Sequence, residues 1–196
     1  MKSYTYLILL LTFMFAACRP NVITPKPKGY FKLELPEKHE YQQFSDTNFP
    51  FSFEFPTYGK ITQDTNLVLQ EQATGWLNVA FKDYGATIYL SYKPISESYP
   101  FERLVAESYT LSYKHDKKAD YIKTSEVVTP NQLTGVYYQV GGNAASGHQF
   151  FITDSTKNFI RGSLYFETVP NADSLKPATE FFKEDMIHLI NTLQFK

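Results

Sequence analysis

The sequence predicts an α+β fold in which an antiparallel sheet of about six to seven strands is covered by two helices. Aromatic residues that favour strands are abundant, with 17 Phe and 15 Tyr among 196 residues. Several segments alternate apolar and polar residues and are joined by short turns, which is typical of antiparallel sheets. Two longer segments carry apolar residues at helical spacing, and these predict the two helices.

The first half of the chain contains most of the irregular segments. Phe49, Phe51, Phe53 and Phe55 alternate with other residues and predict a strand that ends at Pro56. The polar stretch 37–48 is expected to form a loop, and 61–72 is ambiguous. The predicted strands of this half are 30–35, 49–56, 76–81 and 86–92, and the last two form a hairpin.

The second half is more regular. The first helix is predicted over 100–114 with Ser98 as its cap, and the second over 174–192. The strands between them are predicted over 121–128, 135–140, 146–153 and 158–168, with a turn over 154–157. We expect both helices to cover one face of the sheet. This order of elements resembles the compact sandwich of the PsbP and Mog1 proteins.

The N-terminus has the pattern of a removable export signal over residues 1–17. Lys2 supplies a positive charge, and an apolar run from Leu7 to Phe15 follows it. That run is shorter than the roughly 20 apolar residues that span a bilayer, and it fits a signal peptide. Phe15-Ala16-Ala17-Cys18 resembles the bacterial lipobox, in which the cysteine is lipidated after cleavage, although the first position is usually Leu.

Cys18 is the only cysteine, so it has no partner for an intramolecular disulfide. The alternative to lipidation is a secreted protein with a chance cysteine, which would leave an exposed thiol. Residues 18–29 contain three prolines and only positive charges, and they predict a semi-rigid lipidated tether. Residues 30–196 are predicted to form a single domain. The absence of acidic residues after Cys18 favours a membrane-anchored protein of the cell envelope that faces the periplasm.

Composition and motifs argue against several function classes. The 19 basic and 20 acidic residues give no basic footprint for nucleic acid. His39-Glu40-Tyr41-Gln42-Gln43 lacks the second histidine of a metalloprotease motif, and the four histidines have no metal-ligand spacing. Serine hydrolase and phosphate-binding patterns are absent. We therefore expect no metal, no cofactor and no enzymatic activity.

One polar cluster is a possible interaction surface on the last hairpin. An enzymatic interpretation would make His148 a base oriented by Asp154, whereas the simpler one is turn chemistry and a half-exposed strand. The tyrosines elsewhere could also stack on sugars. The members of the cluster are Asn143, Ser146, His148, Gln149, Asp154, Lys157 and Arg161.

Several motifs carry a family resemblance along the chain from Lys26. They are Pro25-Lys26-Pro27-Lys28-Gly29-Tyr30, Tyr89-Leu90-Ser91-Tyr92-Lys93-Pro94, Gly142-Asn143-Ala144-Ala145-Ser146, Gln149-Phe150-Phe151-Ile152-Thr153-Asp154 and Arg161-Gly162-Ser163-Leu164-Tyr165-Phe166. This pattern resembles the gliding motility-associated lipoprotein GldD family. The resemblance implies an envelope protein of the gliding apparatus, which is linked to type IX secretion, and it implies no catalytic residue.

Three functional hypotheses remain open at this point. The first is a non-enzymatic lipoprotein that binds other gliding or type IX secretion proteins. The second is a periplasmic lipoprotein that binds a small ligand or a cell-wall glycan near 143–148. The third is a hydrolase that uses His148 and Asp154.

Overall fold

Ten strands and two α-helices are present in residues 34–63, 75–114 and 118–196, which are the residues that the computed structural model describes. The helices are α1 (Phe101–Tyr113) and α2 (Ala172–Thr192), and a short 3-10 helix covers Lys82–Tyr84. The strands are β1 (Tyr41–Ser45), β2 (Phe51–Pro56), β3 (Lys60–Thr62), β4 (Trp76–Phe81), β5 (Ala86–Pro94), β6 (Ala119–Val128), β7 (Thr134–Gly142), β8 (His148–Thr153), β9 (Asn158–Phe166) and β10 (Gln194–Phe195).

The strands form two antiparallel sheets. The larger sheet has seven strands in the order β3-β4-β5-β9-β8-β7-β6, and the smaller has the order β1-β2-β10. Strands β5 and β9 pair along their whole length, from Ala86 opposite Phe166 to Pro94 opposite Asn158. The predicted α+β fold with an antiparallel sheet and two helices is confirmed.

The two helices lie on opposite faces of the larger sheet. Successive side chains of a strand point to opposite faces, and in β8 Phe150 packs into one core while Phe151 packs into another. Helix α2 and the smaller sheet cover the first face, whereas Leu104 of α1 covers the second. The expectation that both helices cover one face is wrong, because β8 is buried along both of its faces.

Helix α2 is buried between the two sheets by its apolar stripe. Phe182 and Met186 have no exposed surface and pack with Phe51 and Phe53 of β2 on one side. Ile160 of β9 belongs to the same core on the other side. Each fully buried side chain of this size contributes about 1.5–3 kcal/mol relative to exposure. The packing fixes the position of the whole helix.

The N-terminal region differs most from the sequence prediction. Strand β1 lies within the predicted loop 37–48, because it pairs with β2 through Phe44 opposite Phe53. The ambiguous segment begins with β3. Pro100, and not Ser98, is the N-cap residue of α1, and it makes no side-chain capping bond.

Other predictions concern residues beyond the described ranges. The signal segment 1–17, the tether 18–29 and most of the strand 30–35 lie outside them, so the domain boundaries stay predictions. Among the described helices, none has the length and apolar character needed to cross a bilayer.

Candidate functional site

A cleft of about 280 Å3 lies between the β7–β8 loop and the first turns of α2. The loop side is built from small residues, which leave the space open, and the helix side carries polar ones. We call this the loop cleft. The residues that define it are Gly142, Ala144, Ala145, Gly147, Lys176 and Thr179.

Asn143 ties the loop to the helix. Its Oδ1 accepts a hydrogen bond from the backbone N–H of Ala172 at 2.9 Å, while Oδ1 of Asn171 accepts from Ser174 N–H at 3.1 Å. The first amides of a helix have no partner within the helix, so both bonds satisfy groups that would otherwise need water. Gly142 precedes Asn143 with a φ of 87°, a left-handed conformation that favours glycine. The conformation of the loop is therefore coupled to the start of α2.

His148 forms a buried part of the wall of the loop cleft. It is 2% exposed, and its Nδ1 forms a hydrogen bond with the hydroxyl of Tyr137 at 2.8 Å. Burial, with a smaller contribution from Lys183, lowers the pKa of His148 to about 4. The imidazole is therefore neutral at neutral pH and offers a hydrogen bond, not a positive charge. Ser146 is also buried, and its hydroxyl donates to the carbonyl of His148.

Asp154 and Lys157 lie at the other end of the hairpin. Asp154 follows β8, whereas His148 begins it, and a strand of six residues separates them by about 20 Å. Although burial opposes the shift, hydrogen bonds from Lys157 and Asn158 lower the pKa of Asp154 to about 2. This is the turn chemistry of the simpler interpretation, and the structure does not bring His148 and Asp154 together as a base and its orienter.

Gln149 and Arg161 point to the opposite face of the larger sheet. Oε1 of Gln149 accepts hydrogen bonds from Ser112 of α1 and from the guanidinium of Arg161. The seven predicted residues are therefore distributed over three places. Only Asn143, Ser146 and His148 lie together: His148 is in the wall of the loop cleft, and the other two belong to the loop that borders it. Their role in binding a partner stays a prediction.

A polar network that was not predicted from the sequence surrounds Asp185. This residue of α2 has no exposed surface. Its carboxylate accepts hydrogen bonds from the hydroxyls of Tyr58 at 2.6 Å and Tyr41 at 3.2 Å, and Nδ1 of His39 lies 2.7 Å from it. The other ring nitrogen of His39 lies 3.2 Å from Glu184. The network fastens the segment that enters β1 to the middle of α2.

Burial disfavours the ionised form of Asp185. Burial raises the pKa of this carboxyl, and the hydrogen bonds from Tyr58 and His39 oppose the shift only in part. A signal for this network existed in the sequence, because Asp185 interrupts the apolar stripe that includes Phe182 and Leu189. In the described residues, no group of three or more His, Cys, Asp or Glu is arranged to hold a metal ion.

Comparison with known proteins identifies one family. The sequence model of the family described as gliding motility lipoprotein GldD matches residues 20–195. A search of curated protein sequences finds no match. Among solved structures, cyanobacterial PsbP (CyanoP) from Synechocystis sp. PCC 6803 is similar with a TM-score of 0.48 and 11% identity over 81% of this chain and 94% of that chain. At this level of similarity the fold assignment rests on the strand order itself.

Replacing Asp185 tests the buried network through the pH dependence of stability. A raised folded-state pKa gives stability that is lost as the pH rises through that pKa. Asp185→Asn removes the ionisation and keeps an oxygen that can accept from Tyr58. We measure the free energy of unfolding by urea titration at pH 4 and at pH 7. The value for Asp185→Asn relative to wild type should be higher at pH 7 than at pH 4. Asp185→Leu should cost about 1–3 kcal/mol at both pH values, because it leaves hydroxyls unpaired. Equal losses for both variants at pH 7 would contradict this account.

Wild type should lose stability at acid pH because of His148, and a variant without this histidine should not show that loss. A histidine with a folded-state pKa of about 4 and an unfolded value near 6.5 contributes stability above pH 6.5 that is lost as the pH falls towards 4. Relative to His148→Gln, wild type should lose up to about 3 kcal/mol of unfolding free energy between pH 7 and pH 4. Urea titrations at both pH values measure this. An imidazole that titrates near pH 6.5 by NMR would refute the buried, neutral state.

Proposed function

The chain belongs to the gliding motility lipoprotein GldD family, and on that premise we propose that it is a non-enzymatic interaction or assembly component of the gliding motility and type IX secretion apparatus. Family membership makes it a lipid-anchored protein of the cell envelope. The anchor is Cys18, the segment 18–29 is the tether, and the folded domain faces the periplasm. The observation that carries this proposal is the family match over residues 20–195.

The loop cleft is the surface that we assign to a partner. Ala145 is exposed and lines the loop cleft, Asn143 is exposed in the same loop, and the motif Gly142-Asn143-Ala144-Ala145-Ser146 covers the end of β7 and most of the loop. Asn143 holds this loop to α2, so the surface is already shaped before a partner arrives. Preorganised surfaces lose less conformational entropy on binding. A protruding side chain or loop of another gliding or secretion protein would fit between the loop and the helix.

A second function is binding of a small ligand or a cell-wall glycan in the same place. The volume of about 280 Å3 favours it, since a cleft of that size can hold a small molecule. One tyrosine, Tyr121, lies at the wall, where its ring packs over Gly141. Phe166 and His148 also line the wall, but Phe166 packs against the core and His148 is 2% exposed, so a stacked sugar would have little aromatic surface to contact. This feature ranks ligand binding below partner binding.

The hydrolase hypothesis receives no support from the geometry. His148 is buried, is neutral at neutral pH and lies about 20 Å from Asp154. A general base needs its orienting group within hydrogen-bond reach. We therefore assign these residues to the structure of the hairpin and to the wall of the loop cleft.

Filling the loop cleft should weaken capture of partners. We expect a tagged, full-length lipoprotein, recovered from envelope extracts under conditions that preserve known complexes, to bring down other gliding or type IX secretion components. Ala145→Tyr places a large ring at the rim and should reduce their recovery about tenfold, which corresponds to about 1.4 kcal/mol. Ala106→Tyr, at an exposed alanine of α1, is the matched control and should recover wild-type amounts.

The outcomes separate the two functions. Recovery of no such component with wild type would refute the assembly role. Equal recovery with Ala145→Tyr and Ala106→Tyr would refute the assignment to the loop cleft. Binding of peptidoglycan fragments by the purified lipoprotein, lost only in Ala145→Tyr and without any captured protein, would establish the second function instead.

A further inference from the structure

A second cleft, of about 290 Å3, lies on the opposite face of the larger sheet, at the edge of α1. Helix α1 covers β7, β8 and the start of β9 there through Leu104, which packs with Tyr138, Phe151 and Phe159. Neighbouring parts of β4, β5 and β9 remain open, with Leu111 of α1 at the boundary. We call this the sheet cleft. The side chains that matter for its chemistry are Trp76, Asn78, Tyr89, Ser91, Arg161 and Ser163.

Strand pairing arranges these side chains as a platform. Trp76 lies opposite Ser91, which lies opposite Arg161, and this gives one row across three strands. In the same way Asn78, Tyr89 and Ser163 form the adjacent row. Neighbouring strands are about 4.8 Å apart and alternate residues about 6.6 Å apart. The platform is therefore about the size of one or two sugar rings.

Arg161 is a partly buried cation without an anionic partner in the described part of the chain. Its guanidinium donates to Oε1 of Gln149, which is a neutral group. Nε of Arg161 is buried and has no hydrogen-bond partner among the described residues, and the ion pairs found there do not include Arg161. Burying a charge without a counterion is costly. A ligand that brings an anion would remove that cost.

Two further buried polar atoms, one in α1 and one in β8, lack hydrogen-bond partners among the described residues. Gln149 and Ser108 are at most 1% exposed, and neither Nε2 of Gln149 nor Oγ of Ser108 has a hydrogen-bond partner in the described ranges. Buried polar groups are usually satisfied, so each exception calls for an explanation. Burial also lowers the pKa of Arg161, with Tyr165 and Tyr138 opposing the shift. An arginine nevertheless stays charged at any physiological pH.

The remaining side chains of the sheet cleft suit a ring with hydroxyl groups. Tyr89 is 44% exposed and Trp76 is half-buried, so both rings present surface to water. Aromatic rings of this kind combine apolar contact with a polar edge. Asn78, Ser91 and Ser163 add an amide and two hydroxyls that can donate or accept hydrogen bonds. A purely apolar ligand would leave these three groups unsatisfied.

We propose that the sheet cleft binds an acidic saccharide, whose carboxylate pairs with Arg161, whose ring packs on Trp76 and Tyr89, and whose hydroxyls bond to Asn78, Ser91 and Ser163. Arginine suits this task because its planar fork matches a carboxylate with two parallel hydrogen bonds. The site is separate from the loop cleft, which lies on the other face of the sheet. It goes beyond the assembly role and does not depend on it.

Trp76 allows a direct test, because it is the only tryptophan of the chain. The full-length mature lipoprotein in detergent micelles is titrated with tetragalacturonate, and with neutral maltotetraose for comparison, while tryptophan fluorescence is recorded. We expect a saturable change with the acidic sugar only. Arg161→Gln should bind at least about tenfold more weakly, because the charged donor that pairs with the carboxylate is lost.

Three further variants make the test specific. Lys82→Gln removes one exposed positive charge elsewhere and should bind as wild type does. Tyr89→Ala should also weaken binding of the acidic sugar. Because Tyr89 is exposed, this variant should fold, and it tests the site even if Arg161→Gln does not fold. Ala145→Tyr, which fills the loop cleft, should bind the sugar as wild type does. A negative result for sugar binding is therefore independent of the result for the assembly role. Equal responses to both sugars, or equal binding by wild type, Arg161→Gln and Tyr89→Ala in folded form, would overturn the proposal.

Discussion

Burial of helix α2 between the two sheets is the constraint on which the other features depend. Phe182 and Met186 have no exposed surface, so the helix cannot shift without opening the core. Its first turns form one wall of the loop cleft. Asp185, in the middle of the helix, contacts His39 in the segment that enters β1. A single packed helix thus contacts both the segment that enters β1 and the surface that we assign to a partner.

Asp185 and Arg161 are two ionisable groups in the interior that have different sets of hydrogen-bond partners. Asp185 has close polar partners in Tyr58, Tyr41 and His39, and it stabilises the attachment of the N-terminal segment. Arg161 has only the neutral oxygen of Gln149 among the described residues. A buried polar group whose hydrogen-bond partners all come from the protein stabilises the structure. A buried polar group that lacks such partners suggests a site where a ligand supplies them. The network at Asp185 therefore belongs to the scaffold, and Arg161 belongs to a candidate site.

The sequence predicted the parts of the fold that local periodicity determines. The alternation of apolar and polar residues predicted β5 and β9, and apolar residues at helical spacing predicted α2. Strand β1 was missed because Gln42 and Gln43 are exposed and only pairing with β2 makes the segment a strand. The opposite placement of the helices was missed because local spacing does not reveal that both faces of β8 are buried. The network at Asp185 depends on His39, which is 146 positions away in sequence.

Photocrosslinking in gliding cells can show whether this membrane-anchored gliding lipoprotein contacts its partner through the loop cleft. A photoreactive amino acid replaces Ala145 in one full-length lipoprotein and Ala106 in another, and covalent products are identified after irradiation. We expect a discrete adduct with another gliding or type IX secretion protein from position 145 and none from position 106. Adducts from neither position, or the same adducts from both, would contradict it.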